Sequence, residues 1–139
     1  MRRPFIAGNW KLNNTIAETE ELVSALLPRV GAVEDVDIVI APSFLSLQAA
    51  VDSTRGSAVS VYAQNMHEKD AGAFTGEVSA PMLAEIDVAG VILGHSERRQ
   101  YFGETDRALQ AKVPRALEAG LVPVLCVGET EEERERGDT

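Results

Sequence analysis

Five short apolar runs rich in β-branched residues, at 5–7, 37–41, 59–63, 88–93 and 122–127, recur along the chain with helix-patterned segments between them. Each run is too short and too uniformly apolar for an amphipathic helix, and reads as a strand covered on both faces. After the first run, Ile16, Leu22, Val23, Leu26, Leu27 and Val30 fall on one helical face, with Glu18, Glu20, Glu21 and Arg29 on the other. That division predicts an amphipathic helix lying on a sheet. Weaker patterns occupy 45–52 and 81–86. A stronger one spans Asp106–Glu118, with Ala108, Leu109, Lys112, Val113, Ala116 and Leu117 turned inward and Gly120 stopping it. Pro114 within it predicts a kink or a fresh turn. The charged run 129–138 reads as the start of a further helix with an anionic first turn.

Strict alternation of strand and helix, with roughly 20 to 30 residues between successive strands, requires parallel pairing through right-handed crossovers. A doubly wound sheet and a (β/α) barrel both satisfy it. No glycine-rich dinucleotide turn opens the first helix, because Gly8 is the only glycine there and Asn14 the only other residue nearby that tolerates a left-handed backbone. No Walker-type lysine loop occurs either, so the nucleotide-binding folds lose ground.

Composition narrows the function classes. The 139 residues are 45% hydrophobic and 25% charged, which fits one globular domain. Thirteen Lys plus Arg against 22 Asp plus Glu leave a formal charge of −9, with 5% aromatics, so neither a basic stripe nor a stacking platform is available and no nucleic-acid partner is expected. The apolar runs end too soon for a spanning helix or a secretory signal, and the expectation is a cytoplasmic protein without a membrane partner. Cys126, the one cysteine, cannot form an intramolecular disulfide, and the two histidines lie far apart, so no metal is expected.

In parallel α/β folds function gathers where strands end at their C-termini. The first run delivers Gly8-Asn9-Trp10-Lys11, and the two-residue period puts Asn9 and Lys11 on the same side, where a lysine can meet an anion. The fourth delivers Gly94-His95-Ser96-Glu97-Arg98-Arg99. His95 is either a capping or hydrogen-bonded core imidazole, or a proton donor and electrophile at the mouth of the sheet. Ser96 with its neighbours has the residue types of a hydrolase triad, but adjacent side chains point apart and no strand-turn-helix elbow surrounds it. Cys126, inside an apolar run, reads as a small hydrophobe. His67, among Glu68, Lys69 and Asp70, reads as a solvated loop residue, and the Asn13-Asn14-Thr15 sequon carries no meaning outside a secretory context.

Gly8-Asn9-Trp10-Lys11-Leu12-Asn13, Ala63-Gln64-Asn65, Gly72-Ala73-Phe74-Thr75-Gly76-Glu77, the run from Gly94 to Arg99, and Leu125-Cys126-Val127-Gly128-Glu129-Thr130 together resemble, in order, the signatures of triosephosphate isomerase. The resemblance covers essentially the whole chain. It implies an α/β fold that is a partial (β/α)8 TIM barrel, five parallel strands with intervening helices, forming a single incomplete barrel domain over 1–139. It implies interconversion of dihydroxyacetone phosphate and glyceraldehyde 3-phosphate through an enediolate, in glycolysis and gluconeogenesis, without a cofactor.

By the same resemblance Lys11 would meet the phosphate and the developing negative charge. Asn9 would orient the substrate oxygen, and His95 would polarise the carbonyl. That family is itself the standard example of an imidazole kept neutral near a helix N-terminus. Glu97, with Ser96 beside it, would support the lysine. The segment from Gln64 and Asn65 to Thr75 and Glu77 would be the long loop that enters the partner subunit of a homodimer. Family members run to about 250 residues. The family's glutamate base belongs to the half that follows strand five, and no residue here matches it. The 139-residue polypeptide alone is therefore expected to be weakly active or inactive, with self-association through its unpaired sheet edges. The alternative is a non-catalytic half-barrel fragment or assembly module. Asn14 stands where the family has glycine, a mild change.

Overall fold

In the computed structural model, which describes residues 2–137, parallel pairing runs unbroken through five strands. They are β1 (Phe5–Asn9), β2 (Asp37–Ala41), β3 (Val59–Ala63), β4 (Gly90–Leu93) and β5 (Val122–Leu125), in the order β1-β2-β3-β4-β5. A doubly wound sheet reverses its order part-way, whereas here each strand adds to the same side of the last. The in-order sheet is the wall of a (β/α) barrel.

The helices are α1 (Ile16–Val30), α2 (Leu47–Thr54) after a 3-10 turn at Phe44–Ser46, α3 (Ala80–Glu85), α4 (Ser96–Tyr101), α5 (Asp106–Glu118) and α6 (Glu131–Arg136). The two-residue period of the strands sorts their side chains into two layers. Ile40, Val61, Ala63, Val91 and Leu93 face the helices and pack with Val23, Leu47, Leu83, Leu109 and Ala116. Val39, Ala41, Tyr62 and Ile92 face the other way and form a smaller inner cluster with Val124 and Cys126.

Coverage on both faces, expected of every strand, holds for β3, β4 and the end of β2 but not for the edges. Ile6 is 62% exposed and Val122 52%, because β1 and β5 each have a neighbour on one side only. The buried face of α1 is centred on Thr19 and Val23, leaving Ile16 and Leu22 exposed. Thr19 satisfies its hydroxyl on the Thr15 carbonyl at 2.8 Å, so a polar residue occupies the stripe without an unpaired donor. In α5 the buried residues are Leu109, Lys112 and Ala116, and Leu117 turns outward. That helix continues through Pro114 as one element and ends before Gly120, whose φ of 78° no β-carbon would favour.

The charged run after β5 forms α6, opened by a capping box in which Thr130 and Glu133 bond each other's backbone N–H. Asp138, the last residue of that expected segment, lies outside the described residues. A second helix between β4 and β5, α4, has no counterpart in the sequence pattern, since Ser-Glu-Arg-Arg-Gln-Tyr carries no apolar period.

Candidate active site

The C-terminal ends of β1 to β4 open onto a cavity of about 650 Å³ whose lining includes Asn9, Lys11, Gln64, Asn65, His95 and Glu97. Parity along β1 and its register with β2, Asn9 opposite Ala41, put Asn9 on the inner face. Asn9 Oδ1 accepts the Lys11 backbone N–H at 3.0 Å, which leaves the amide's NH₂ as a donor toward the cavity. Lys11 has φ of 54°, a left-handed conformation that is uncommon for a long side chain. Asn14 also lies there, at 69°, as an asparagine tolerates.

Lys11 Nζ donates to Glu97 Oε1 at 2.6 Å, with both side chains partly exposed. The hydrogen bond from Lys11 holds the Glu97 carboxyl below the usual carboxylate range. An ammonium has three protons, so two remain for an anion in the cavity.

His95 caps α4. Its Nδ1 accepts the Glu97 backbone N–H at 3.2 Å, which occupies that nitrogen's lone pair and puts the ring proton of a neutral imidazole on Nε2. Glu97 Oε2 lies 3.6 Å from Nδ1, too far for a hydrogen bond. The capping and electrophile readings of His95 are thus compatible: the cap uses one nitrogen and leaves the other as a donor. Ser96, the first residue of α4, is exposed.

The residues expected on a subunit-contacting loop divide. Gln64 and Asn65 sit at its base and turn inward: Gln64 Nε2 donates to the carbonyls of Lys11 at 2.9 Å and Ala41 at 2.8 Å, and Asn65 is buried. Thr75 and Glu77 are exposed. The loop closes on itself through His67 N–H to Val78 O at 2.8 Å and a His67–Phe74 ring contact, so His67 is less solvated than its neighbours suggest. A bidentate Arg115–Asp70 pair, at 2.5 and 2.7 Å, fastens it to α5.

Behind the site lies a buried charge network that sequence reading missed. Lys112 Nζ donates to Asn65 Oδ1 at 3.0 Å and to Glu104, and Glu104 also accepts from Arg98 Nε at 3.2 Å. A lysine on the inward stripe of α5 was the available signal, because such a cation demands a buried acceptor. Arg99 joins the ends of β4 and β5, donating to the carbonyls of Gly94 at 2.9 Å and Cys126 at 3.2 Å. Burial pushes the Cys126 thiol up, in keeping with a small hydrophobe. Among the described residues no cluster of His, Cys, Asp and Glu able to hold a metal is assembled, and no helix is long and apolar enough to cross a membrane.

A sequence model of the triosephosphate isomerase family matches residues 4–139. The chain is 52% identical over 139 residues to a triosephosphate isomerase of Clostridium acetobutylicum, covering all of this chain and 56% of that protein. It is 54% identical over 135 residues to one of Clostridium novyi, covering 97% and 54%. The crystal structure of triosephosphate isomerase from Bartonella henselae superposes with a TM-score of 0.91 at 41% identity, over 98% of this chain and 56% of that one. The chain thus spans about half the length of the relatives it matches.

Proposed function

Because the chain belongs to the triosephosphate isomerase family, we propose that it supplies the electrostatic half of a site interconverting dihydroxyacetone phosphate and glyceraldehyde 3-phosphate through an enediolate. The observation that carries this reading is the joint presentation of Lys11, Asn9 and His95 at one mouth of the sheet. Lys11 binds the phosphate and offsets the charge that develops on the substrate oxygens, held in place by Glu97. The free amide of Asn9 orients the substrate oxygen. His95 Nε2–H polarises the carbonyl, and a neutral donor suits an oxygen whose charge rises and falls within one turnover.

Proton abstraction from carbon needs a general base, and in this family that base is a glutamate carboxylate. Glu97 is the carboxylate among the described residues lining the cavity, and it is committed to Lys11. The base therefore comes from the segment that follows β5 in the family. The native assembly on this reading is a cytoplasmic homodimer in which the loop from Gln64 to Glu77, with Thr75 at its tip, reaches the partner, with no nucleic acid, membrane or cofactor required.

The test joins residues 1–139 to the complementary C-terminal portion of the Clostridium acetobutylicum relative and follows isomerisation by a coupled assay. The joined protein should turn over, and His95→Gln in it should lower kcat by about 10²-fold or more with little change in folding. A folded but inactive joined protein, or one indifferent to His95→Gln, would sink the reading. The 139-residue polypeptide alone should show no activity above its own His95→Gln variant. The exposed edges of β1 and β5 favour one second reading, a half-barrel that assembles without catalysing; a soluble, well-ordered, inactive oligomer would support it.

A further inference from the structure

We infer that Gln64 is a positioning residue for Lys11, its side-chain amide holding the lysine in the left-handed backbone conformation that delivers the ammonium to the cavity. This deepens the proposed function, in which Lys11 binds the substrate phosphate.

The argument starts from what fixes a backbone. A lysine at φ of 54° relaxes into an ordinary region unless the peptide groups on both sides of its Cα are held. At Lys11 both are held. The N–H is taken by Asn9 Oδ1 at 3.0 Å, and the C=O accepts from Gln64 Nε2 at 2.9 Å. The same Gln64 nitrogen donates to the Ala41 carbonyl at 2.8 Å, and that carbonyl also accepts the Trp10 N–H at 3.0 Å. One amide therefore ties the second residue after β1 to the end of β2.

The anchor is itself fixed. Gln64 follows β3 directly, and the next residue, Asn65, is buried with its Oδ1 on Lys112 Nζ at 3.0 Å. An aliphatic side chain at 64 would fill the space and leave both carbonyls without that donor. The Lys11 ammonium would then lose its fixed approach to Glu97, which depends on the loop backbone because the lysine stem is itself flexible.

Competitive acetylation of the 139-residue chain with mass-spectrometric readout tests this without any need for turnover. The chain has three lysines: Lys69 is exposed and serves as the reference, while buried Lys112 reports that the fold persists. In the parent chain Lys11 should label more slowly than Lys69. Gln64→Met should raise Lys11 labelling several-fold, toward the level of Glu97→Gln, while Lys112 stays protected. Combined with Glu97→Gln, Gln64→Met should add little, as expected of a residue that acts through that ion pair.

Unchanged Lys11 labelling with Lys112 protected would overturn the inference, as would full additivity in the double variant. If Gln64→Met exposes Lys112, the isosteric Gln64→Glu is measured. Exposure of Lys112 in both would also overturn the inference, since the amide would then hold the fold and not the lysine. Expected labelling beside an inactive joined protein would leave the positioning role standing and remove only the proposed chemistry.

Discussion

Lys112 lies on the buried stripe of α5, where an ammonium is tolerated only with its protons accepted; Glu104 and Asn65 do this. Arg98, the other partner of Glu104, is partly exposed and can turn to water if the carboxylate is lost, but Lys112 cannot. Glu104→Ala should therefore destabilise the fold by about 3 kcal/mol or more, the usual cost of leaving a buried charge uncompensated. A urea midpoint equal to that of the parent would show that Lys112 finds another acceptor. Glu97 obeys a different rule because its pair is half in water. The Lys11 hydrogen bond lowers its folded pKa, so the stabilisation from the pair is complete above the ordinary carboxylate value and is lost as pH falls through the lower, folded one. Lys11→Met should move the Glu97 titration, followed by carboxyl NMR, upward. A titration that stays where it was would mean that Lys11 does not set it.

At the scale of elements, the join between β4 and β5 depends on one missing side chain. A Cβ at Gly90 would lie 2.4 Å from the Val122 carbonyl oxygen and 2.5 Å from the Tyr62 ring, both fixed parts of the sheet. Gly90→Ala should cost roughly 1 to 3 kcal/mol as overpacking, read as a lower thermal midpoint, whereas Gly90 would be dispensable if the midpoint held. The same sheet explains what could be read in advance. Parallel strands must be apolar to sit between layers, so the five runs marked themselves, and Asp106–Glu118 announced α5 by its period. The strand order was not legible in the alternation itself, because a doubly wound sheet and a barrel share it and the order is a property of packing. Nor was α4, whose residues are polar since it sits at the mouth and caps with His95 in place of a Ser or Asp. The shared placement of Asn9, Lys11 and His95 at one mouth was legible from their positions at or just beyond strand ends. The hydrogen bond from Gln64 to the Lys11 carbonyl was not: its acceptor lies 53 residues away in sequence, and nothing local marks it.

Two kinds of exposed apolar surface compete to decide how the 139-residue polypeptide behaves in solution. One belongs to the edges, where Ile6 of β1 and Val122 of β5 stand beside unpaired backbone groups. The other rings the cavity mouth, where Leu12, Phe44, Tyr101 and Phe102 are all exposed. Parallel edges pair indiscriminately and give open-ended assembly, whereas a mouth that receives a loop gives a closed, symmetric dimer. Charges separate the two. Ile6→Lys with Val122→Lys should shift size-exclusion elution of the polypeptide sharply toward the monomer volume if the edges dominate, with a stability change of only about 0.5 kcal/mol expected for exposed sites. Thr75→Arg, at the exposed loop, should then change little. We expect the edge variants to have the larger effect, because an edge offers a row of hydrogen bonds as well as apolar area, while the mouth offers side chains alone. The reverse result, with a discrete oligomer lost on Thr75→Arg and untouched by the edge lysines, would show that assembly runs through the loop and that the edges are quiet.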